Sequence, residues 1–267
     1  MIYLFDSNDH TFVLCAYKES PYLEECVLSL LNQHVCSRII ISTSTPNAHI
    51  KSVSAKFGLP LLVNEGEASI SHDWNCAVSH CETPLVTIAH QDDIYLPDYS
   101  LKMLEMMNSC DLPLIFFSNY GELRGNQAVD DSTLLAIKRY LLRDIRKAGR
   151  IDSIKRKRSL LSFGCSICCP SVTFNTGALP IPLFLDNMKS NLDWEAWERF
   201  SKIGGSFVYS DDILVRHRIH SGSETSVLIK DDTRSAEDLK MLRKFWPKPV
   251  AYIINCAYSL AMRSNSI

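Results

Sequence analysis

Long apolar runs are missing from this chain. The nearest approach, Val250 to Met262, is interrupted by Asn255 and Ser259 and falls short of the roughly eighteen residues that cross a bilayer. A membrane-spanning protein is therefore not expected. The opening Met1-Ile2-Tyr3-Leu4-Phe5-Asp6 has no basic region, and its apolar stretch is too short for a signal peptide, so no export is expected either. Charge of one sign is not in excess: a net charge of -2 argues against a general nucleic-acid binder. No internal repeat or low-complexity segment occurs, and no Gly-rich phosphate loop follows the first apolar strand. The one Cys-x-x-Cys, in Cys165-Ser166-Ile167-Cys168-Cys169, lacks a second ligand pair and fills half a tetrahedral zinc site, so packing is its expected role.

What is present describes a globular enzyme-sized chain. With 267 residues and a hydrophobic fraction of 46% there is enough apolar material for one core domain with an appended lobe. Many of the ten cysteines lie in apolar stretches (Cys15, Cys26, Cys76, Cys110, Cys256), where free thiols act as small buried hydrophobes, so a reducing cytoplasm is the expected location.

Short β-type runs alternate with helix-period segments through the first half, which argues for a mixed sheet covered by helices. Phe12 to Ala16 reads as the first strand. Ser20 as cap, Pro21 at the first position, Glu24 and Glu25, and a stripe of Leu23, Cys26, Val27, Leu30 and Leu31 announce the first helix. Arg38 to Thr43 and Leu59 to Asn64 read as further strands, and Ile70, Trp74, Ala77, Val78 and Cys81 repeat at helical spacing before the run Pro84 to Ala89. Leu101, Leu104 and Met107 then suggest a helix, Leu114 to Phe117 a strand, and Leu134, Ile137, Leu141 and Ile145 another helix. The less regular region from about Ser118 to Pro170 is the expected inserted lobe. The expected division is 1–117 for a nucleotide-binding α/β core, 118–230 for an acceptor-side region that completes the sheet, and 231–267 for a C-terminal helical segment.

The apolar run 84–89 delivers His90-Gln91-Asp92-Asp93 at the end of a buried strand. Carboxylates at a strand's C-terminal end suit a divalent cation carrying phosphates, although an acidic turn before Pro97 has the same composition. Three other segments bear on that choice. Asn191-Leu192-Asp193-Trp194-Glu195-Ala196-Trp197 opens a helix with acidic residues, with Trp194, Trp197 and Phe200 available to pack inward. Arg216 to Ser223 is polar and follows the apolar Ile213-Leu214-Val215. Ala16-Tyr17-Lys18-Glu19-Ser20 joins the first strand to the first helix, where an aromatic ring can stack on a base.

With these segments in view the chain resembles the family 2 glycosyltransferases, inverting enzymes of the GT-A fold. The family's first strand ends in a Pro-Thr-Tyr-Asn type sequence before a helix much like Tyr22-Leu23-Glu24-Glu25-Cys26-Val27-Leu28-Ser29-Leu30-Leu31-Asn32-Gln33; here that strand end is Cys15-Ala16-Tyr17-Lys18. The family's Asp-x-Asp falls on His90-Gln91-Asp92, with Asp93 and Pro97 following. Its Glu-Asp-Trp-Asp falls on Leu192-Asp193-Trp194-Glu195, and its Arg-x-His-x-x-Ser falls loosely on Arg218 to Ser223. The resemblance implies an α/β, GT-A type nucleotide-binding mixed sheet flanked by helices, with a smaller acceptor-side lobe and C-terminal helices.

The same resemblance implies site roles. Tyr17 would lie against the nucleobase, with Ala16, Glu19 and Thr43 beside it and Asn75, Gln91 and Asp93 also on the donor side. Asp92, with His220, would hold Mn²⁺ or Mg²⁺ on the diphosphate, and Asp193 would be the general base. Glu195 would help position Asp193. The expected partners are a nucleoside diphosphate sugar donor and a glycan or lipid-linked acceptor, with no nucleic acid and with peripheral membrane contact on the inner face left open.

The chain departs from the family at two places. His90 stands for the first Asp of the motif, and Ser42-Thr43-Ser44-Thr45 stands where many members carry an Asp that reads the base. His220 remains a metal ligand, a phosphate contact or a structural histidine, and Asn75 a donor contact or packing. The basic run Lys138, Arg139, Arg143, Arg146, Lys147, Arg150 and Lys155 to Arg158 is either an anion-binding surface or a solvated face. The segment Val250 to Met262, flanked by Lys244, Lys248 and Arg263, is either a bilayer-surface helix or a final core helix. A sugar nucleotidyltransferase and a non-catalytic sugar-nucleotide-binding module are the rival functions.

Overall fold

The computed structural model describes residues 4–220 and 233–263, the side chains of residues 233 and 258–263 excepted. Ser221, Gly222, Ser223 and the Arg263 side chain therefore lie outside the described residues.

Four parallel strands form the nucleus: β1 (His10–Cys15), β2 (Arg38–Thr43), β3 (Leu61–Val63) and β4 (Leu85–His90). Their centres are apolar and, except in β3, buried, as in strands covered by helices on both faces, while His10, Thr11, Ser42, Thr43 and Thr87 are polar and buried. The sheet continues through short β9 (Thr173–Asn175), antiparallel to β4, to β6 (Pro113–Arg124), β10 (Ser206–Ile219) and β5 (Ile94–Tyr95), giving the order β3-β2-β1-β4-β9-β6-β10-β5. β7 (Gln127–Val129) and β8 (Arg150–Ile151) add to β6 and β10.

Helices α1 (Leu23–Leu31), α3 (Ile70–Ser79) and α4 (Tyr99–Met107) fall where the periodicity places them, and α8 (Leu192–Phe200) buries Trp194, Trp197 and Phe200 completely. Several details differ from the sequence reading. α1 starts at Leu23 with no side-chain cap, because Pro21 and Tyr22 form a turn in which Ser20 Oγ accepts from Tyr22 N at 3.3 Å; Leu31 faces solvent. Helix α2 (Ala48–Phe57), capped by Asn47, was not expected, since Ile50 and Val53 are its only buried residues. α4 packs through Tyr99, Met103, Leu104 and Met107, and Leu101 is half-buried. The helix expected after Ser132 breaks at Leu142 into α5 (Thr133–Leu141) and α6 (Arg143–Ala148), and it packs through Leu135, Leu142 and Ile145. Cys169–Ser171 is a 3-10 turn leading into β9, and α7 (Ile154–Leu160) precedes it.

Strand β6 runs without interruption through residue 118, so the division between 117 and 118 falls inside a strand of the common sheet. Of the five cysteines read as buried hydrophobes, Cys26 alone is fully buried; Cys15, Cys76 and Cys110 are partly covered and Cys256 is exposed. The basic run is mostly structural. Lys157 is buried and donates to the carbonyls of Ile203 and Gly205 at 2.6 Å each, with burial pulling its ammonium down to about 8; Arg146 pairs with Asp211 and Arg158 with Glu198.

The chain closes with α9 (Thr233–Leu242) and α10 (Lys248–Arg263), which pack on each other. α10 buries Ala251 and Asn255 and exposes Val250, Tyr252 and Ile253. No helix among the described residues is long and apolar enough to cross a membrane.

Candidate functional site

The parallel register aligns the C-terminal ends of the central strands: Cys15 lies beside Ser42 and His90, and Thr43 beside Val63. Ligands of open α/β sheets bind at this edge. The chain leaves β1 through Ala16, which is buried, and Tyr17, which is 44% exposed. Tyr17 N donates to Gln91 Oε1 and Gln91 Nε2 returns a bond to Tyr17 O, both at 3.0 Å, so Gln91 locks the β1 and β4 loops together. Lys18 adopts φ +54°, a left-handed conformation costly for a lysine, and its amide donates to Thr45 Oγ1 at 2.6 Å. Glu19 is exposed on the same loop. Thr43 is buried and spends its hydroxyl on Thr45 N, at 3.0 Å. Beyond it, Ser44 donates to Asp73 of α3, and Asn64 Nδ2 reaches the same carboxylate oxygen at 3.4 Å.

The acidic tip is held by β10. Because β5 pairs with Val215 and Arg216, the segment that follows crosses directly over the turn after His90. Asp93 is 1% exposed, and its Oδ1 lies 3.0 Å from His217 Nδ1 and accepts from Arg218 N at 2.9 Å. Burial pushes the Asp93 carboxyl up, but the charge and hydrogen bond of His217, with His90, outweigh it and leave it below the usual range. Burial likewise pulls His217 down, and the charges of Asp93 and Asp92 outweigh that pull, so His217 is raised. Asp93 thus anchors the tip from inside.

Arg218 clamps the same turn. Its Nε donates to Asp92 O at 2.8 Å, another nitrogen pairs with Glu25 of α1, and its guanidinium lies 4.3 Å over the Tyr22 ring. Asp92 is left pointing outward, with Oδ2 2.9 Å from His220 Nε2. Two ligands bound to one cation at about 2.1 Å and at right angles sit about 3 Å apart, so this pair fits adjacent positions on a divalent ion. Among the described residues no third His, Cys, Asp or Glu joins them. Such an ion would complete its shell with phosphate oxygens and water.

His90 stacks on Trp74 with ring centroids 5.3 Å apart. Its Nε2, and Asp93 Oδ2, are buried with no hydrogen-bond partner among the described residues, His90 Nδ1 standing 3.8 Å from that Oδ2. Buried unpaired polar atoms are rare, and here two of them gather at the strand edge. Burial lowers the His90 imidazole against the raising charges of Asp93, Asp92 and Asp193.

Asp193 sits in the first turn of α8, with Oδ1 accepting from Trp194 N at 2.7 Å and Oδ2 facing the Cys165 thiol at 3.6 Å. Burial pushes its carboxyl above the ordinary range, against the Trp194 amide, Arg234, Cys165 and Lys138. The thiol of Cys169 is raised by burial and then by both Asp193 and Asp93. Asp193 and Asp93 thus both lie near Cys169, and Asp193, Asp92 and Asp93 lie near His90.

Two residues read as site residues do other work. Asn75 gives Nδ2 to Phe184 O at 2.7 Å and takes Phe184 N at 3.1 Å, so its amide is engaged in holding the 184 loop. Glu195 pairs with Arg199 at 2.9 Å and Lys244 at 3.3 Å, rather than with Asp193. Sequence reasoning missed the clamp made by Arg218 and the anchor made by His217, because their partners lie more than a hundred residues away.

The sequence profile described as Glycosyl transferase family 2 matches residues 11–163. Among solved structures, the fold is similar to that of Staphylococcus aureus TarS 1–349 in complex with UDP-GlcNAc (TM-score 0.60, 13% identity, 97% of this chain and 73% of that one). It is similar also to the mannosyltransferase PcManGT from Pyrobaculum calidifontis in complex with GDP-Man and Mn²⁺ (TM-score 0.61, 12% identity, 95% and 69%). A third is glucosyl-3-phosphoglycerate synthase from Mycobacterium tuberculosis with Mn²⁺ and UDP-glucose (TM-score 0.54, 12% identity, 85% and 79%). At these identities the likeness is one of fold, a mixed curled sheet flanked by helices of the GT-A type. Among curated protein sequences none matches the chain.

Proposed function

The chain belongs to glycosyl transferase family 2, and we propose that it is an inverting, metal-assisted glycosyltransferase moving a sugar from a nucleoside diphosphate to a hydroxyl of a glycan or lipid-linked acceptor. The observation that carries this reading is the placement of Asp92 at the C-terminal edge of the sheet, 2.9 Å from His220, with Asp193 near His90 and Cys169, which also neighbour Asp93.

Asp193 is the general base in this reading. Its raised pKa makes it a better proton acceptor than an ordinary carboxylate, and its hydrogen bond from Trp194 N fixes one oxygen while the other meets only the weak thiol donor of Cys165. As the acceptor oxygen bonds to the anomeric carbon, its proton passes to Asp193, and the bond from that carbon to the phosphate oxygen breaks on the opposite face. Asp92 and His220 hold the diphosphate end. A divalent cation there supplies positive charge where the leaving group gains negative charge. The Mn²⁺ bound with donor in two similar structures supports Mn²⁺ or Mg²⁺ as that ion. Tyr17, with Ala16 and Glu19 on its loop, offers its exposed ring to the base.

The exposed Val250, Tyr252 and Ile253 of α10 support a peripheral contact with the membrane that carries a lipid-linked acceptor. Co-sedimentation with anionic vesicles tests that contact: wild type is expected to pellet with them, and an Ile253→Asp variant to remain in solution. For the chemistry, the test is release of nucleoside diphosphate from a panel of sugar nucleotides with Mn²⁺ and without acceptor. Slow, metal-dependent release from one donor is the expected result; binding without release from any donor means a sugar-nucleotide-binding module instead.

A further inference from the structure

The family's base-reading acid after the second strand is replaced here by Ser42-Thr43-Ser44-Thr45, yet a carboxylate is present at that place, supplied by a different element. Asp73 projects from the first turn of α3 to the end of β2, where Ser44 Oγ donates to its Oδ1. Asn64 Nδ2 approaches the same oxygen at 3.4 Å and Ser44 Oγ at 3.2 Å, and Asn64 is itself fixed by Ser42 Oγ at 2.8 Å and His80 Nε2 at 3.1 Å. One oxygen of Asp73 is thereby pinned. The other takes no hydrogen bond among the described residues and is not buried.

This carboxylate adjoins the base-stacking residue of the donor reading. The bond from Lys18 N to Thr45 Oγ1 stitches the Tyr17 loop to Ser44-Thr45, and Cys15, two residues before Tyr17, pairs with Ser42 in the sheet. A ring lying on Tyr17 would turn its edge toward the end of β2.

Resting on that donor reading, we infer that Asp73 determines base specificity by accepting the imino N–H at the centre of the base edge, which selects a uridine or guanosine diphosphate sugar. A carboxylate is acceptor-only. With the Ser44 hydroxyl and the Asn64 amide both engaged on Oδ1, the other oxygen is left as a bare acceptor, the complement of an imino N–H at the centre of a base edge. Cytosine and adenine carry a lone pair at the central position, so they set acceptor against acceptor. Sites built to receive a hydrogen bond discriminate strongly against analogues that lack it.

The test is calorimetric titration of UDP, GDP, CDP and ADP with Mn²⁺ into the wild-type chain and into Asp73→Asn, together with N3-methyl-UDP and N1-methyl-GDP. Wild type is expected to favour UDP or GDP by about tenfold or more, and methylation of the preferred base to weaken binding by a similar factor. In Asp73→Asn the preference and the methylation penalty should both vanish. The methylated diphosphates test the inference on the unaltered chain, so a poorly folded variant does not decide it. Preference for CDP or ADP, binding indifferent to methylation, or a penalty that survives in Asp73→Asn would overturn this inference while leaving the donor reading intact. Absence of binding by any diphosphate would overturn the donor reading, and this inference with it.

Discussion

Burial of Asp193 has a cost that stability measurements can read. Its folded pKa lies above the ordinary 3.8, so ionising it within the fold loses stability as pH climbs from about 3.8 through the raised value, and at pH 7 the full loss applies. Asp193→Asn removes the charge without changing the shape. The variant should melt at a higher temperature than wild type at pH 7, with the gap closing as pH falls toward 4; a variant that melts lower at pH 7 would contradict the burial argument. The Asp93 and His217 pair behaves in the opposite sense. Asp93 is depressed and His217 raised, so their contribution is complete between about pH 3.8 and 6.5 and declines as pH rises through the folded value of His217. His217→Ala leaves a fully buried carboxylate with the Arg218 amide as its remaining hydrogen bond and His90 Nδ1 at 3.8 Å, and a loss of about 3 kcal/mol is expected from chemical denaturation at pH 6. The difference from wild type should shrink above pH 7. Neither effect was legible in the sequence, because Asp93 and His217 are separated by 124 positions and their adjacency comes from the pairing of β5 with β10. The left-handed φ of Lys18 was equally hidden, although the family's Asn at that place is a residue that tolerates such a φ.

At the scale of elements, legibility followed hydrophobic pattern. β1, β2 and β4 centre on short apolar stretches, and α8 repeats aromatics at helical spacing, so both kinds were readable. α2 escaped because two buried residues in ten make no stripe. The far half of β6 escaped because Asn119, Tyr120 and Glu122 are polar yet buried, held by Arg139, Lys138 and Arg124. One prediction belongs here. Gly205, at φ +114°, turns the chain from α8 into β10, and a Cβ on it would meet Leu112 O at 2.7 Å and Leu114 carbons at 3.0 Å. Gly205→Ala should destabilise the protein by about 2 kcal/mol, read as a lower denaturation midpoint. Since β10 carries His217 and Arg218 and leads into His220, metal-dependent donor binding should weaken in the same variant; an unchanged midpoint would mean that the turn is looser than the geometry shows.

For the whole molecule, the sequence placed the acidic tip near residue 92 and the aspartate at 193 on separate elements a hundred residues apart, and the sheet order sets the elements around the tip. β9 bridges β4 to β6, and β6 leads to β10 and the 217–220 segment over the tip, while α8 immediately precedes β10 in the chain. A raised Asp193 also sets the pH response of turnover. The acid limb of kcat should lie above the 3.8 of a free carboxyl and should be absent from residual activity in Asp193→Asn. The most direct test of the central claim is parallel measurement, on Asp193→Asn, of single-turnover sugar transfer and of the donor Kd with Mn²⁺. The account predicts transfer slowed by about 10²–10⁴-fold with donor affinity unchanged within about twofold. Loss of donor binding with the transfer rate per bound donor preserved would contradict it.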